Sequence, residues 1–219
     1  MVSFKLSAFA TLASIIVSVT AAPVPGPPSW ANGAASTQQL SARTYNCEHD
    51  HDNLPSLIGS LKADISPLVN QLQSLSPADC TLANISPIVV KMKDVLGHAI
   101  VKVRGFEGVD VSTILSTGSD GGVIGLVDLC TMISSLFSFI FGCFGIVMNV
   151  VVSGDVNAVV GLFAEVGSLC GIFLRLVCGV VGGLNGILIP MLGVVFNVAG
   201  RVGCSGAFSF LFDAGAQAQ

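Results

Sequence analysis

"CTMISSLFSFIFGCFGIVMNVVV", residues 130–152, is 23 residues long and carries no charge. A bilayer span takes roughly 20 apolar residues, so the stretch qualifies by length. It would serve equally well as the buried centre of a helical protein, and the choice between these decides the fold. The flanking sequence favours the second. No Lys or Arg lies between Arg104 and Arg175, so the stretch lacks the basic flank that orients a span. The next segment, 156–181, carries Glu165 and Arg175, each costing about 2.5–3.5 kcal/mol at a bilayer centre.

That next segment also has a face. Val159, Leu162, Val166, Leu169, Phe173, Leu176, Val180 and Leu184 recur at spacings of three and four, the helical period. Opposite them runs a small or polar stripe of Gly161, Glu165, Ser168, Arg175, Gly179, Gly182 and Gly186. In lipid, small-xxx-small patterns such as Gly167–Gly171 let helices pack closely. In water the stripe becomes the outer side of a bundle helix. Ser153-Gly154-Asp155 is a polar break between the two apolar runs. It predicts an antiparallel helical hairpin of 121–152 and 156–182. A further apolar run, 176–200, is also long enough to span.

The front of the chain differs. Residues 47–110 hold thirteen charged side chains and 111–219 only seven, which divides the protein into a polar and an apolar half. Ser66-Pro67, Ser76-Pro77 and Ser86-Pro87 pair an N-cap residue with the helix position that tolerates a missing N–H, and so predict three helix starts. Asp79 adds a weak capping box to Ser76. From Ser86, the residues Ile88, Val89, Met92, Val95, Leu96 and Ala99 outline an amphipathic helix of about five turns that ends at Gly105 and Gly108. Ser119-Asp120 and Gly154-Asp155 offer later caps. The expectation is all-α: a helical bundle over 53–212, with a polar front (53–110), a very apolar back (111–212) and the long hydrophobic hairpin within it.

Residues 1–22 look like an export signal. Lys5 precedes an apolar run from Leu6 to Val19, and Thr20-Ala21-Ala22 supplies small residues for cleavage after Ala21 or Ala22. Removing Lys5 moves the formal charge from −4 to −5, which offers nothing to nucleic acid or anionic lipid. Residues 23–52 form an arm rich in Pro, Gly and polar residues, with too little apolar surface to order itself. The expected location is extracellular or cell wall, with membrane as the alternative.

Seven cysteines, Cys47, Cys80, Cys130, Cys143, Cys170, Cys178 and Cys204, allow at most three intramolecular bridges. An exported chain meets oxidising conditions that favour them. Cys143 and Cys170 lie thirteen or fourteen residues either side of 156–157, at similar heights on the expected hairpin, and are the expected bridge. Cys170 and Cys178 are eight residues apart on one helix, about 12 Å, beyond the disulfide limit of about 7 Å.

Catalytic chemistry is thin. "CEHDHD" (47–52) clusters Cys47, Glu48, His49, Asp50, His51 and Asp52, but adjacent side chains cannot all converge on one ion, and His98 is the only other histidine. No metal or cofactor is expected. "GSDGG" (118–122) and "GCSG" (203–206) are not nucleophile elbows. With no catalytic constellation, an enzyme is not expected. Asn84-Ile85-Ser86 is a glycosylation sequon, disfavoured by Pro87 and by the helix start expected there.

An export signal, a Pro-rich start, a hydrophilic first half, a hydrophobic second half and scattered cysteines resemble the non-hydrophobin secreted hydrophobic proteins of the walls and aerial hyphae of mushroom-forming fungi. The resemblance is one of architecture over the whole chain. It implies a structural role in hyphal attachment to hydrophobic surfaces. Hydrophobins themselves differ, because no Cys-Cys doublet occurs here. The expected function is therefore a secreted, surface-active structural protein acting by hydrophobic association, with itself, with wall components or with hydrophobic surfaces. The alternatives are an integral membrane protein with two or more helices between 123 and 200, and a helical carrier of a lipid-like ligand.

Overall fold

The computed structural model describes residues 53–117 and 122–213. The expected export signal and arm, the 47–52 cluster and the expected Ser119-Asp120 cap lie outside the described residues. Among the described residues, eight helices and one 3-10 turn make up the fold: α1 Leu54–Gln73, α2 Leu82–Arg104, α3 Val111–Ile114, α4 Leu126–Val150, α5 Val156–Val180, α6 Asn185–Met191, α7 Gly193–Val202, the turn Ser205–Phe208, and α8 Phe210–Asp213. Among the described residues there is no strand, only an isolated bridge between Ser116 and Val123. The all-α expectation holds.

The three Ser-Pro starts do not. α1 begins at Asn53, whose side chain accepts from Ser56 N at 2.8 Å, and it runs through Pro67. Ser66 Oγ instead donates back to Lys62 O at 2.6 Å, one turn earlier, the other habit of a helical serine. At Ser76 one capping-box bond forms, Asp79 N donating to Ser76 Oγ at 3.3 Å, while Ser76 Oγ itself donates to Asp79 Oδ2 at 2.6 Å; together they close only a turn. α2 starts at Leu82 and passes through Pro87. Its first N–H finds a distant partner: Leu82 N donates to Asp155 Oδ2 at 2.8 Å. Asp155 precedes α5 but makes no side-chain cap there, so the predicted cap residue serves another helix. The end of α2 at Gly105 is as expected.

The hydrophobic hairpin is present as α4 and α5, joined through residues 151–155. Its two helices meet chiefly through rings. Phe144 stacks on Phe163 at 4.1 Å between centroids, and Phe137 meets Phe173 edge-on at 6.3 Å. These pairs fix the antiparallel register. Beyond α5 the apolar run 176–200 is not one helix: α6 and α7 meet at an angle of 73°.

What makes α4 and α5 so apolar is that both are covered twice. α1 packs on α4, and α2 packs along α5. On α4, Cys143 Sγ lies 3.8 Å from Val69 O of α1, while Gly145 lies against Val198 of α7. Positions two apart are about 200° around a helix, so these neighbours approach α4 from opposite sides. On α5, Glu165 pairs with Lys93 of α2, and Gly167 and Gly171 receive Cys204 and Ala207. The hairpin is thus a middle layer between α1/α2 and the C-terminal helices. Phe208 plugs the C-terminal side, its ring 6.5 Å from Phe137, 5.8 Å from Phe141 and 6.2 Å from Phe196.

Candidate functional surface

The outer side of α5 follows the sequence pattern. Gly161, Glu165, Ser168, Arg175 and Gly179 are exposed, as are Gly182 and Gly186 beyond it, while Val159, Val166, Phe173 and Leu184 are buried. Its two charges are engaged with neighbours: Glu165 Oε2 meets Lys93 Nζ at 2.6 Å, and the Arg175 guanidinium lies 5.2 Å from the centre of the Phe210 ring. Close approach is confined to Gly167 and Gly171. A Cβ on Gly167 would collide with Cys204 Sγ, and one on Gly171 would stand 2.6 Å from Ala207 O. These two are the small residues that let another segment come near; the exposed stripe has no such neighbour.

α4 turns little charge to the outside. Its exposed residues are Val127, Asp128, Thr131, Ser135, Ile146, Asn149 and Val150. Ile146 is 53 % exposed and Val127 61 %; on α7, Val194 is 59 % exposed. Arg201 of α7 donates to Asn149 Oδ1 at 3.1 Å, and Gly145 faces Val198, so α7 runs beside this part of α4. Phe144 and Val147, prominent in the apolar run, are fully buried and contribute nothing to a surface.

The expected Cys143–Cys170 bridge is not formed. Both thiols are free and point to different neighbours, Cys143 towards α1 and Cys170 towards the turn that carries Cys204. Equal height on a hairpin is not enough when the two side chains leave their helices in different directions. Cys80, Cys130, Cys178 and Cys204 are also free thiols. Burial pushes the Cys143 thiol up to about 12, with the nearby Cys80 adding to it; burial and then Cys130 do the same to Cys178, also to about 12. Cys170 is raised by burial and by Cys204. Burial therefore holds these thiols protonated in the folded, reduced chain.

Asn84 is exposed within the first turn of α2, and its Nδ2 donates to Asp79 O at 2.8 Å. The glycosylation nitrogen is thus already held by the backbone. Among the described residues, open grooves of about 350, 280 and 380 Å³ indent the surface. They are lined with charged residues such as Lys91, Asp64 and Glu107 respectively, and none is an enclosed apolar pocket. His98 lines the second, with Ser60, Asp64 and Lys102. Among the described residues no three His, Cys, Asp or Glu side chains gather as a metal site. Comparison with protein-family models, with curated proteins and with solved structures found no match to the chain.

Proposed function

We propose that this is an exported structural protein that acts at hydrophobic interfaces, in a fungal-type wall or on a hyphal surface, by apolar association. The observation that supports it is the outward side of the back half. There α4 and α7 offer Val127, Ile146, Val150 and Val194 to solvent, with Asp128 the only charge among the 25 residues of α4. Burying such surface at an interface is favourable by about 25 cal/mol per Å². The export-type start and the polar arm are consistent with a chain that stays dispersed until it meets a surface. Adsorption of the mature protein to a hydrophobic solid tests this directly. It should persist after deletion of residues 23–46. It should weaken in the exposed-site variant Ile146→Lys with Val194→Glu, while helicity is unchanged. Equal adsorption by that folded variant would refute the proposal.

A membrane reading has one observation in its favour: α4 and α5 are each long and apolar enough to cross a bilayer. It would require α2, with Lys91, Lys93 and Asp94, to lie at membrane depth beside α5. Fractionation separates the two, since a membrane protein would be found only in detergent extracts.

A further inference from the structure

We propose that six cysteines are three disulfide partners, Cys80 with Cys143, Cys130 with Cys178 and Cys170 with Cys204, which staple the three layers together once the chain is exported. The inference rests on the exported reading for its oxidising compartment. The pairing itself rests on geometry.

Cys170 and Cys204 are the clearest pair. Gly203, at φ 79°, ends α7 in the left-handed conformation that glycine tolerates, and delivers Cys204 to α5. Cys204 Sγ then seats against Gly167, where a Cβ would collide with it and would stand 3.2 Å from Cys204 Cβ. Cys170 is three residues further along the same edge of α5, and a helical side chain leans towards the preceding turn, here towards Gly167. Both cysteines are buried.

For Cys130 and Cys178 the register decides. Leu126 Cδ1 lies 4.0 Å from where a Gly183 Cβ would be. Cys130 lies one turn inside α4 from Leu126, and Cys178 lies in the last turn of α5, two residues before its end at Val180, so both sit at the same end of the hairpin. Cys130 Sγ is also 4.0 Å from Leu184 O, at the exit of α5.

Cys80 sits in the α1–α2 connection, pinned to the end of α4 where Val152 N donates to Cys80 O at 3.3 Å. Its Sγ is 4.0 Å from Val147 O. Cys143 is one turn earlier on the same face of α4, with Sγ 3.8 Å from Val69 O, so both thiols occupy the α1–α4 seam. Electrostatics groups the cysteines in the same way. After burial, the thiol that raises Cys143 is Cys80, the one that raises Cys178 is Cys130, and the one that raises Cys170 is Cys204. Each cysteine is used once, and Cys47 is left as the odd seventh.

Each bond would form during folding, before burial closes over the thiols, by exchange with an oxidised dithiol carrier of the secretory compartment. One cysteine thiolate attacks the carrier disulfide and releases a carrier thiolate. The second cysteine thiolate then displaces the carrier's other sulfur. The protein loses two protons and two electrons, and the carrier gains both as two thiols.

The test is mapping of full-length mature protein from culture medium, with free thiols alkylated at collection and peptic digestion at low pH. The expected result is three linked peptide pairs, 80 with 143, 130 with 178 and 170 with 204. Any of these six joined to a different partner, or all six alkylated, overturns the proposal. A second arm isolates the pairing from the export reading: purified protein is reduced, unfolded, and refolded in a glutathione buffer. The same three pairs should form wherever the cell keeps the chain, and other pairs or none would sink the pairing itself. Retention of the chain inside the cell with its leader uncut would instead overturn the exported reading. Reduction of the bridged protein should lower its melting temperature by on the order of 10 °C or more. The Cys170→Ser, Cys204→Ser double variant should lose only part of that shift and keep the other two linked pairs.

Discussion

α2 and α4 are nearly the same length, 23 and 25 residues, yet they present opposite chemistry. α2 buries one face, with Ile85, Ile88, Met92, Leu96 and Val103, and exposes Lys91, Asp94, His98, Lys102 and Arg104. α4 buries two sides, against α1 and against α6 and α7, and its remaining exposed residues are mostly aliphatic or small. The apolar content of a helix in this fold therefore reports how many neighbours cover it. A helix in the outer layer reads as amphipathic, and a helix in the middle layer reads like a membrane span.

The contrast is broken most severely by removing what fills the middle layer. Phe208→Ala opens a cavity among Phe137, Phe141 and Phe196 and should cost about 3–5 kcal/mol. Val101→Ala on the outer face of α2 should change stability by no more than about 0.5 kcal/mol, since Val101 is 67 % exposed. Chemical denaturation of both variants measures the difference. Similar losses would mean that α4 and α5 are not the covered layer described above.

The same contrast is sharpened within one helix. Gly171→Ala puts a Cβ 2.6 Å from Ala207 O and 2.7 Å from Ala207 Cβ, and should destabilise by about 1–3 kcal/mol. Gly161→Ala meets nothing within 4 Å and should stabilise by about 0.5–1 kcal/mol through helix propensity. Opposite signs are the expected result, read from thermal melts; equal effects would remove the distinction between the covered and the outer side of α5.

The last effect concerns the join between layers. Asp155→Ala removes the cap on Leu82 N and should cost about 1 kcal/mol. Hydrogen exchange should speed up in the first turn of α2 and not in the first turn of α5. Faster exchange in α5 alone would show that Asp155 caps its own helix.

Much of this was legible in the sequence, for identifiable reasons. The hairpin and the exposed stripe of α5 follow from local periodicity, which needs no knowledge of partners. The Ser-Pro starts failed because a helix can absorb proline when its serine bonds backwards, as Ser66 does to Lys62. The start of α2 was hidden because its cap, Asp155, lies 73 residues away. Cys143 and Cys170 were matched by height along a hairpin, but direction around each helix is set by α1 and by the Gly203 turn, which the spacing does not reveal.

The central claim is that a folded, water-dispersed protein with a covered apolar layer still exposes enough aliphatic surface to act at an interface. Surface tension measured on mature protein recovered from culture medium, without detergent and with its helicity verified, tests it most directly. The tension should fall as protein is added, and fall less with the Ile146→Lys, Val194→Glu variant. Helical, lipid-free protein that leaves the tension of water unchanged would contradict it.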